Sequence, residues 1–137
     1  MKQHVLILCT ANSARSQMAE GLLRDLAGDH FDVYSAGAKP SIVNPFAIAA
    51  MDERGIDIRS HTSKNLDQFL DHPFDYVITV CDNAAETCPF FPGQATRIHW
   101  SLPDPAAVEG NNATKLASFC AVRDQLETHF RQWLEEK

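Results

Sequence analysis

The chain has 137 residues, of which 45% are hydrophobic, and this length and composition suit one domain with a sizeable core. We therefore expect residues 1–137 to form a single domain. The formal net charge of −6 provides no basic surface for nucleic acid or an anionic membrane, so neither is expected as a partner. The first apolar run, residues 5–8, is too short for a signal peptide or a membrane span, which indicates a cytoplasmic protein.

The N-terminal apolar run leads directly into a cysteine. Residues 4–8 predict a strand that is buried on both faces of a parallel sheet, and Cys9 follows it. After a short polar stretch, apolar residues recur about every fourth position as far as Gly28, which predicts an amphipathic helix over residues 14–27. The polar stretch is therefore expected to be a loop at a helix N-terminus.

This loop has the composition of an oxyanion site. Backbone N–H groups at a helix N-terminus lack partners within the helix and carry the positive end of its macrodipole, so they attract anions. Arg15 adds a guanidinium to the same place. The same field favours the thiolate of Cys9, and Ser16 could donate a hydrogen bond to that sulfur. Cys9 alone could equally be a small buried hydrophobe, but Arg15 and Ser16 at their spacing favour a nucleophile.

The rest of the chain alternates strands with helices. Asn44 and Pro45 predict the cap and first residue of a second helix that Gly55 closes, and Asn112 predicts the cap of a last helix with one apolar stripe. This alternation predicts a doubly wound α/β domain. The further strands are predicted over residues 31–35, 75–80 and 96–100.

Four cysteines in a cytoplasmic protein indicate redox, catalytic or metal chemistry rather than a static disulfide framework. The third predicted strand ends at Cys81 as the first ends at Cys9, and groups at the carboxyl ends of parallel strands can face each other. Cys81 and Cys88 are too far apart in sequence for a zinc pair, and the histidines show no ligand spacing, so neither a metal nor a cofactor is expected. Cys120 lies beside the apolar stripe of the last helix, where a packing role is expected.

Asp104 stands between two prolines after the last predicted strand. The stiff backbone there holds its carboxylate in a set position. On local sequence alone, an aspartate that merely turns the chain is favoured over a catalytic one.

Several short motifs together resemble one superfamily. CTANSARS followed by QMAEG resembles the loop and first helix of the arsenate reductases that share their fold with low-molecular-weight protein tyrosine phosphatases. The resemblance implies a four-stranded parallel sheet in the order 2-1-3-4, flanked by helices, of the phosphotyrosine phosphatase I-like type. It continues through SAG at residues 35–37, NP at 44–45, HTS at 61–63, the cysteines at 81 and 88, and DP at 104–105.

The resemblance also implies a reaction. Cys9 would attack arsenate while the loop and Arg15 hold its oxygens, and Asp104 would protonate the departing hydroxide. Cys81 would then attack Cys9 and Cys88 would attack Cys81, leaving a disulfide for thioredoxin to reduce. Phosphate and sulfate are expected as competing oxyanions, and glutaredoxin or a small thiol stays open as the reductant. The residues expected to bind the oxyanion are Thr10, Ala11, Asn12, Ser13, Ala14, Arg15 and Ser16.

Two other functions are compatible with this loop. A phosphatase would use Cys9, Arg15 and Asp104 through a phosphocysteine intermediate, without any need for the other cysteines. Tyrosine phosphatases of this fold carry aromatic residues just after the Asp-Pro pair, however, whereas residues 106–108 here are Ala-Ala-Val. A non-catalytic oxyanion-binding or thiol-sensing domain is the third possibility.

The chain departs from the superfamily pattern at Lys64. Some members have an aspartate there, which helps to bind potassium together with residues matching Asn12, Glu20 and Ser35. We expect the Lys64 ammonium to occupy the place of that ion and to neutralise Glu20. Ala14 replaces an extra cysteine of some members, which removes a wrong disulfide partner for Cys9.

The spacing of Cys81 and Cys88 predicts a rearrangement on oxidation. In a helix their Cα atoms would lie about 10 Å apart. A disulfide requires roughly 7 Å or less, so the segment is expected to unwind or loop when it oxidises.

Overall fold

The computed structural model describes residues 2–82 and 88–137, and its centre is a sheet of four parallel strands. The strand order β2-β1-β3-β4 confirms the order that the family resemblance implied. The strands are β1 (Gln3–Cys9), β2 (Phe31–Gly37), β3 (Tyr76–Thr79) and β4 (Thr96–His99), and the helices are α1 (Arg15–Ala27), α2 (Pro45–Asp52) and α3 (Asn112–Glu135).

Strand β1 lies in the interior of the sheet because its sequence is apolar on both faces. The side chains of residues 5–8 are fully buried, as expected for a strand of a parallel sheet that is covered on both sides. Leu8 is paired with Ala36 of β2 on one side and with Thr79 of β3 on the other. The strand therefore delivers Cys9 to the middle of the carboxyl edge of the sheet.

The two faces of the sheet are covered differently. Val5 and Ile7 belong to the larger core cluster, to which α1, α2 and α3 all contribute buried residues. Leu6 and Leu8 belong to a smaller cluster with Phe74 and Phe91, which lie outside the strands and α-helices. A 3₁₀ turn, Leu66–Phe69, also packs there.

Asparagine caps begin two of the helices. The Asn44 side chain accepts a hydrogen bond from the Phe46 amide at 2.8 Å, and Pro45 occupies the first turn, as predicted. The predicted cap of the last helix was wrong by one residue. Asn111 caps α3 by accepting from the Thr114 amide at 2.9 Å, whereas Asn112 is already helical. Either asparagine can cap, and the extended backbone of Asn111 decides between them.

Within the described part of the chain, no helix combines the length and the apolar character needed to cross a membrane.

Candidate active site

A cavity of roughly 220 Å³ opens at the carboxyl end of β1. Cys9, the last residue of the strand, is 2% exposed and lies on its wall. The loop that follows leads into α1, whose N-terminus has no side-chain cap. Asp104 reaches the same cavity from the loop after β4. The cavity is lined by Cys9, Thr10, Ala11, Ser13, Ala14, Arg15, Ser41, Asp104 and Ala106.

Hydrogen bonds from outside the loop hold its carbonyl groups away from the cavity. Four consecutive carbonyl oxygens, those of residues 10–13, accept hydrogen bonds of 2.9–3.0 Å. The C=O and N–H of one peptide unit point in opposite directions, so this arrangement turns the amide edge of the loop inward. An inward row of N–H groups is the arrangement that binds an oxyanion. The four donors are the Lys39 amide, the Ser63 hydroxyl, the Gln17 side chain and the Asn44 amide.

This arrangement explains why three short motifs far apart in sequence accompany the loop. Asn44 of the NP motif both caps α2 and donates its amide to Ser13 O. Ser63 of the HTS motif donates to Ala11 O. Gly37 of the SAG motif approaches the loop so closely that a Cβ there would lie 2.6 Å from Thr10 O.

Asn12 holds the loop from within. It is fully buried and has φ of 48°, a left-handed conformation that asparagine tolerates better than most residues. Its Oδ1 accepts from the Lys64 amide at 2.8 Å and from Gln17 Nε2 at 3.0 Å. Its Nδ2 donates to the hydroxyls of Ser16 and Ser35 at 2.7 and 3.0 Å. All four hydrogen-bonding positions of the side-chain amide are thus used.

The Cys9 sulfur lies 2.9 Å from Ser16 Oγ. Asn12 Nδ2 donates to the same oxygen, which keeps its hydrogen and one lone pair for the contact with the sulfur. The Ser16 hydroxyl can therefore donate to a Cys9 thiolate, which only accepts hydrogen bonds.

The Arg15 side chain links the two loops that line the cavity. It is 4% exposed, and its Nη1 donates to Leu102 O at 3.1 Å. Leu102 lies two residues before Asp104, whose Oδ1 accepts from the Ala106 amide at 3.0 Å at the start of a 3₁₀ turn, Pro105–Ala107. The guanidinium and the carboxylate thus reach one cavity from different parts of the chain.

Cys81 and Cys88 form a disulfide, with their Cα atoms 5.6 Å apart. Cys81 is fully buried just beyond β3, and its sulfur lies 4.0 Å from Leu8 O, next to Cys9 in the chain. Cys88 is half-buried, and Cys9 is a free thiol. The Cα separation is well below the helical value of about 10 Å. The expected change in the linking segment concerns residues 83–87, which lie outside the described residues.

A buried charge cluster lies behind the loop, around Glu20. This carboxylate is 6% exposed and accepts a hydrogen bond of 2.5 Å from Ser35. Lys64 Nζ lies 4.0 Å away, near the limit of an ion pair, and donates to Thr62 O at 2.6 Å. Burial lowers the pKa of the Lys64 ammonium, against the opposing effect of Glu20.

The nearest cation to Glu20 in the described residues is Arg24, for which no role was predicted from the sequence. Its Nη2 lies 2.8 Å from Glu20 Oε2, one helical turn along α1. The spacing of four residues within the predicted first helix could have indicated this ion pair. His61 also faces Glu20, with Nε2 at 3.7 Å, and burial lowers the pKa of its imidazole. Roles for His61, Gln17, Ser41 and the carbonyl of Leu102 were not predicted from the sequence. In the described residues, no three histidine, cysteine or acidic side chains converge as a metal site.

A cysteine at a strand end, an inward-facing amide loop and a buried arginine at the start of the next helix define a class of thiol-based oxyanion enzymes. The low molecular weight phosphotyrosine protein phosphatase family matches residues 4–137. The chain belongs to this family.

Within the family, the chain is similar to arsenate reductases. The arsenate reductase of Halalkalibacterium halodurans is 46% identical over 134 residues, which cover 98% of this chain and 96% of that protein. A solved structure of an arsenate reductase in the phosphate binding state has a TM-score of 0.82 at 34% identity, over 99% of this chain and 98% of the other. The thioredoxin-dependent arsenate reductase of Corynebacterium glutamicum has a TM-score of 0.71 at 26% identity, over 99% of this chain and 64% of that one.

Proposed function

We propose that this protein reduces arsenate to arsenite and passes the oxidising equivalents to a disulfide that thioredoxin reduces. The observation that supports this most strongly is the Cys81–Cys88 disulfide at the sheet edge where Cys9 lines the oxyanion cavity. The arsenate reductase relatives and the thioredoxin-dependent neighbour support the same reaction. A phosphatase mechanism uses neither Cys81 nor Cys88.

The first step is attack of the Cys9 thiolate on arsenic. The amide edge of the loop and the Arg15 guanidinium hold the arsenate oxygens, and protonated Asp104 gives its proton to the departing hydroxide, which leaves as water. The product is arsenic(V) bound to the Cys9 sulfur. Ser16 stabilises the thiolate before the attack through the contact of 2.9 Å.

The second step transfers two electrons to arsenic. The Cys81 thiolate attacks the Cys9 sulfur, a Cys9–Cys81 bond forms, and the electron pair of the sulfur–arsenic bond stays on arsenic, which leaves as arsenite. Cys88 then attacks Cys81 and releases the Cys9 thiolate. The state with Cys81 and Cys88 bridged and Cys9 free is the end of this sequence, and it is the state of the structure.

The relay is tested by arsenite release. The parent should turn over repeatedly with arsenate, thioredoxin, thioredoxin reductase and NADPH, and Cys9→Ser should release nothing. Cys88→Ser should release one equivalent of arsenite and retain a Cys9–Cys81 disulfide that peptide mass spectrometry identifies. Normal multiple turnover by Cys88→Ser with thioredoxin would contradict the relay. Turnover of the parent with glutaredoxin but not with thioredoxin would keep the reaction and replace the reductant.

A weak phosphatase activity is expected beside the reductase, because the family match and the oxyanion loop are shared with phosphatases. Hydrolysis of a small aryl phosphate should be detectable in the parent and unchanged in Cys81→Ser and Cys88→Ser. Loss of this hydrolysis in either variant, with the circular dichroism spectrum intact, would assign those cysteines to the first chemical step and refute the separation of roles. Cys9→Ser provides the inactive control.

A further inference from the structure

A groove lies beside the disulfide, and two of the residues that line it, Val77 and Phe91, belong to the smaller core cluster. Its volume is about 350 Å³, and it is bounded by β3, β4 and the chain that follows Cys88. Cys88 lies on its wall, whereas Cys81 is fully buried. A thiol on another protein therefore has access to this disulfide from the Cys88 side. We call this feature the disulfide groove.

Phe90 forms an exposed apolar rim to the disulfide groove. Its side chain is 71% exposed, while the adjacent Phe91 is 3% exposed and packs in the smaller core cluster. The buried Phe91 ring anchors this part of the chain, and the Phe90 ring, two residues beyond Cys88, stays exposed. Aromatic side chains are enriched at protein–protein interfaces relative to the rest of the surface.

Arg97 of β4 holds the Phe90 ring in place. Its guanidinium carbon lies 4.6 Å from the centroid of the ring, within the range of a cation–π contact. Its Nη2 also donates to Gly93 O at 2.9 Å. Both groups are thus ordered before any partner binds, which reduces the entropy cost of binding.

The charge around the disulfide groove differs from that of the chain as a whole. The formal net charge of the chain is −6, yet the described lining of the groove contains Arg97 and His99 and no carboxylate. Strand β4 is an edge strand of the sheet, so the groove is bordered by an open edge. A partner with an apolar surface around its thiol and acidic groups at the rim is complementary to this site.

We propose that the disulfide groove is the docking surface for the dithiol protein that reduces Cys81–Cys88, with Phe90 and Arg97 as the specificity-determining pair. This inference rests on the proposed function for the identity of the partner class. The partner's first thiolate attacks Cys88 Sγ, a mixed disulfide forms, and Cys81 leaves as a thiolate that takes up a proton. The partner's second thiol then attacks its own sulfur in the mixed disulfide and releases Cys88, so the dithiol is oxidised by two electrons and the Cys81–Cys88 pair is reduced.

The test measures reduction of the oxidised protein directly, in the absence of arsenate. Oxidised full-length parent, Phe90→Ala and Arg97→Glu are mixed with thioredoxin, thioredoxin reductase and NADPH, and NADPH consumption gives kcat/KM for the oxidised protein as substrate. Each variant should lower kcat/KM about tenfold or more, as removal of an interface anchor does. Reduction by dithiothreitol should be unchanged, because a small dithiol needs no docking surface.

A variant on α3, away from the residues that line the groove, is the control. Arg131→Glu reverses an exposed charge there and should leave kcat/KM unchanged. Unchanged thioredoxin kinetics in Phe90→Ala and Arg97→Glu would overturn the docking surface. So would an equal loss with dithiothreitol, or failure of thioredoxin to reduce the parent. If the parent releases no arsenite from arsenate in a separate single-turnover assay, the proposed function fails while the docking result stands independently.

Discussion

The Ser16 side chain shows how single residues prepare Cys9 for reaction. Ser16 accepts from Asn12 and faces the Cys9 sulfur at 2.9 Å, so one buried hydroxyl connects the loop scaffold to the nucleophile. A hydrogen bond to a charged group is worth about 1.5–3 kcal/mol. The reactivity of Cys9 therefore depends on two residues, Asn12 and Ser16, that do not line the cavity.

The first prediction concerns this hydrogen bond. Ser16→Ala should slow alkylation of Cys9 by iodoacetamide at neutral pH by about threefold to tenfold, because the attacking sulfur loses this hydrogen bond. Peptide mass spectrometry of the oxidised protein measures Cys9 and Cys120 in the same sample. Burial raises the pKa of the Cys120 thiol, so it serves as a slow internal control that the substitution leaves unchanged. Equal Cys9 rates in parent and variant would refute the role given to Ser16.

The second prediction concerns acid stability. His61 Nδ1 faces Gln17 Oε1 at 3.1 Å and Nε2 faces Arg24 Nη1 at 3.3 Å, an arrangement that suits a neutral ring accepting from Arg24. Burial lowers the pKa of His61 below its ordinary value of 6.5, so below that pH the unfolded chain binds more protons than the folded one. The free energy of unfolding should therefore fall as the pH drops through and below 6.5.

Chemical denaturation of the parent and His61→Gln at several pH values measures this effect. The unfolding free energy of the variant should fall less than that of the parent as the pH drops. The carboxylates are the same in both proteins, so their contribution cancels in the comparison. His129→Gln is a second test, since burial also lowers the pKa of His129 on α3, and the unfolding free energy of this variant should also fall less than that of the parent. Identical pH profiles for parent and His61→Gln would contradict the argument.

The third prediction concerns potassium. Arg24 and Lys64 both lie beside Glu20, so this carboxylate already has two tethered cations as neighbours. Thermal melts in potassium chloride and in a bulky monovalent chloride of equal ionic strength should coincide. A rise in melting temperature specific to potassium would show that the cluster still recruits the ion. Lys64→Ala in the same two salts shows whether the lysine itself prevents binding.

At the scale of elements, β2 and the oxyanion loop meet at Gly37. Its missing side chain allows contact, because a Cβ there would lie 2.6 Å from Thr10 O and 2.8 Å from both Asn12 N and Cys9 O. All three are backbone atoms, which cannot turn aside as a flexible side chain can. The end of β2 and the loop are therefore so close that a methyl group does not fit between them.

Gly37→Ala should consequently displace the loop. We expect a loss of about 1–3 kcal/mol in unfolding free energy, as for other overpacked sites, together with weaker binding of phosphate and arsenate. Isothermal calorimetry with phosphate and urea denaturation measure the two effects. Gly55→Ala is the control, because its φ of 71° makes alanine costly while nothing lies within 4 Å of the new Cβ. It should lose stability without losing oxyanion affinity; intact affinity in Gly37→Ala would refute the loop argument.

Much of this arrangement of elements could be predicted from the sequence. The buried strand before Cys9 and the helix after it follow from local apolar patterns, and those patterns are strong because β1 is buried on both faces. The hydrogen bonds that the loop carbonyls accept come in part from residues 39, 44 and 63, which lie beside the loop only after the chain has folded. The Arg15–Leu102 contact spans 87 positions and involves a backbone carbonyl, which carries no signal in the sequence.

At the scale of the whole molecule, the sheet places Cys9 and the oxyanion cavity at its carboxyl edge, with the disulfide groove beside them. Cys9 follows β1 and Cys81 follows β3, and these strands are hydrogen-bonded neighbours in fixed register. Adjacent strands lie about 4.8 Å apart, so the core of the sheet sets the spacing between the two cysteines. The disulfide with Cys88 then carries the oxidising equivalents toward the surface.

The hydrogen bond from Arg15 to Leu102 has a thermodynamic consequence for the whole site. The Arg15 guanidinium lines the oxyanion cavity and also holds the backbone that leads to Asp104. Oxyanion binding and the ordering of that backbone segment are therefore linked by a coupling free energy. Coupling of this kind is reciprocal. If ordering of this segment raises the affinity for the oxyanion by some factor, oxyanion binding favours the ordered segment, and with it Asp104, by the same factor. Oxyanion binding should therefore stabilise the position that Asp104 already has beside Arg15 in the cavity.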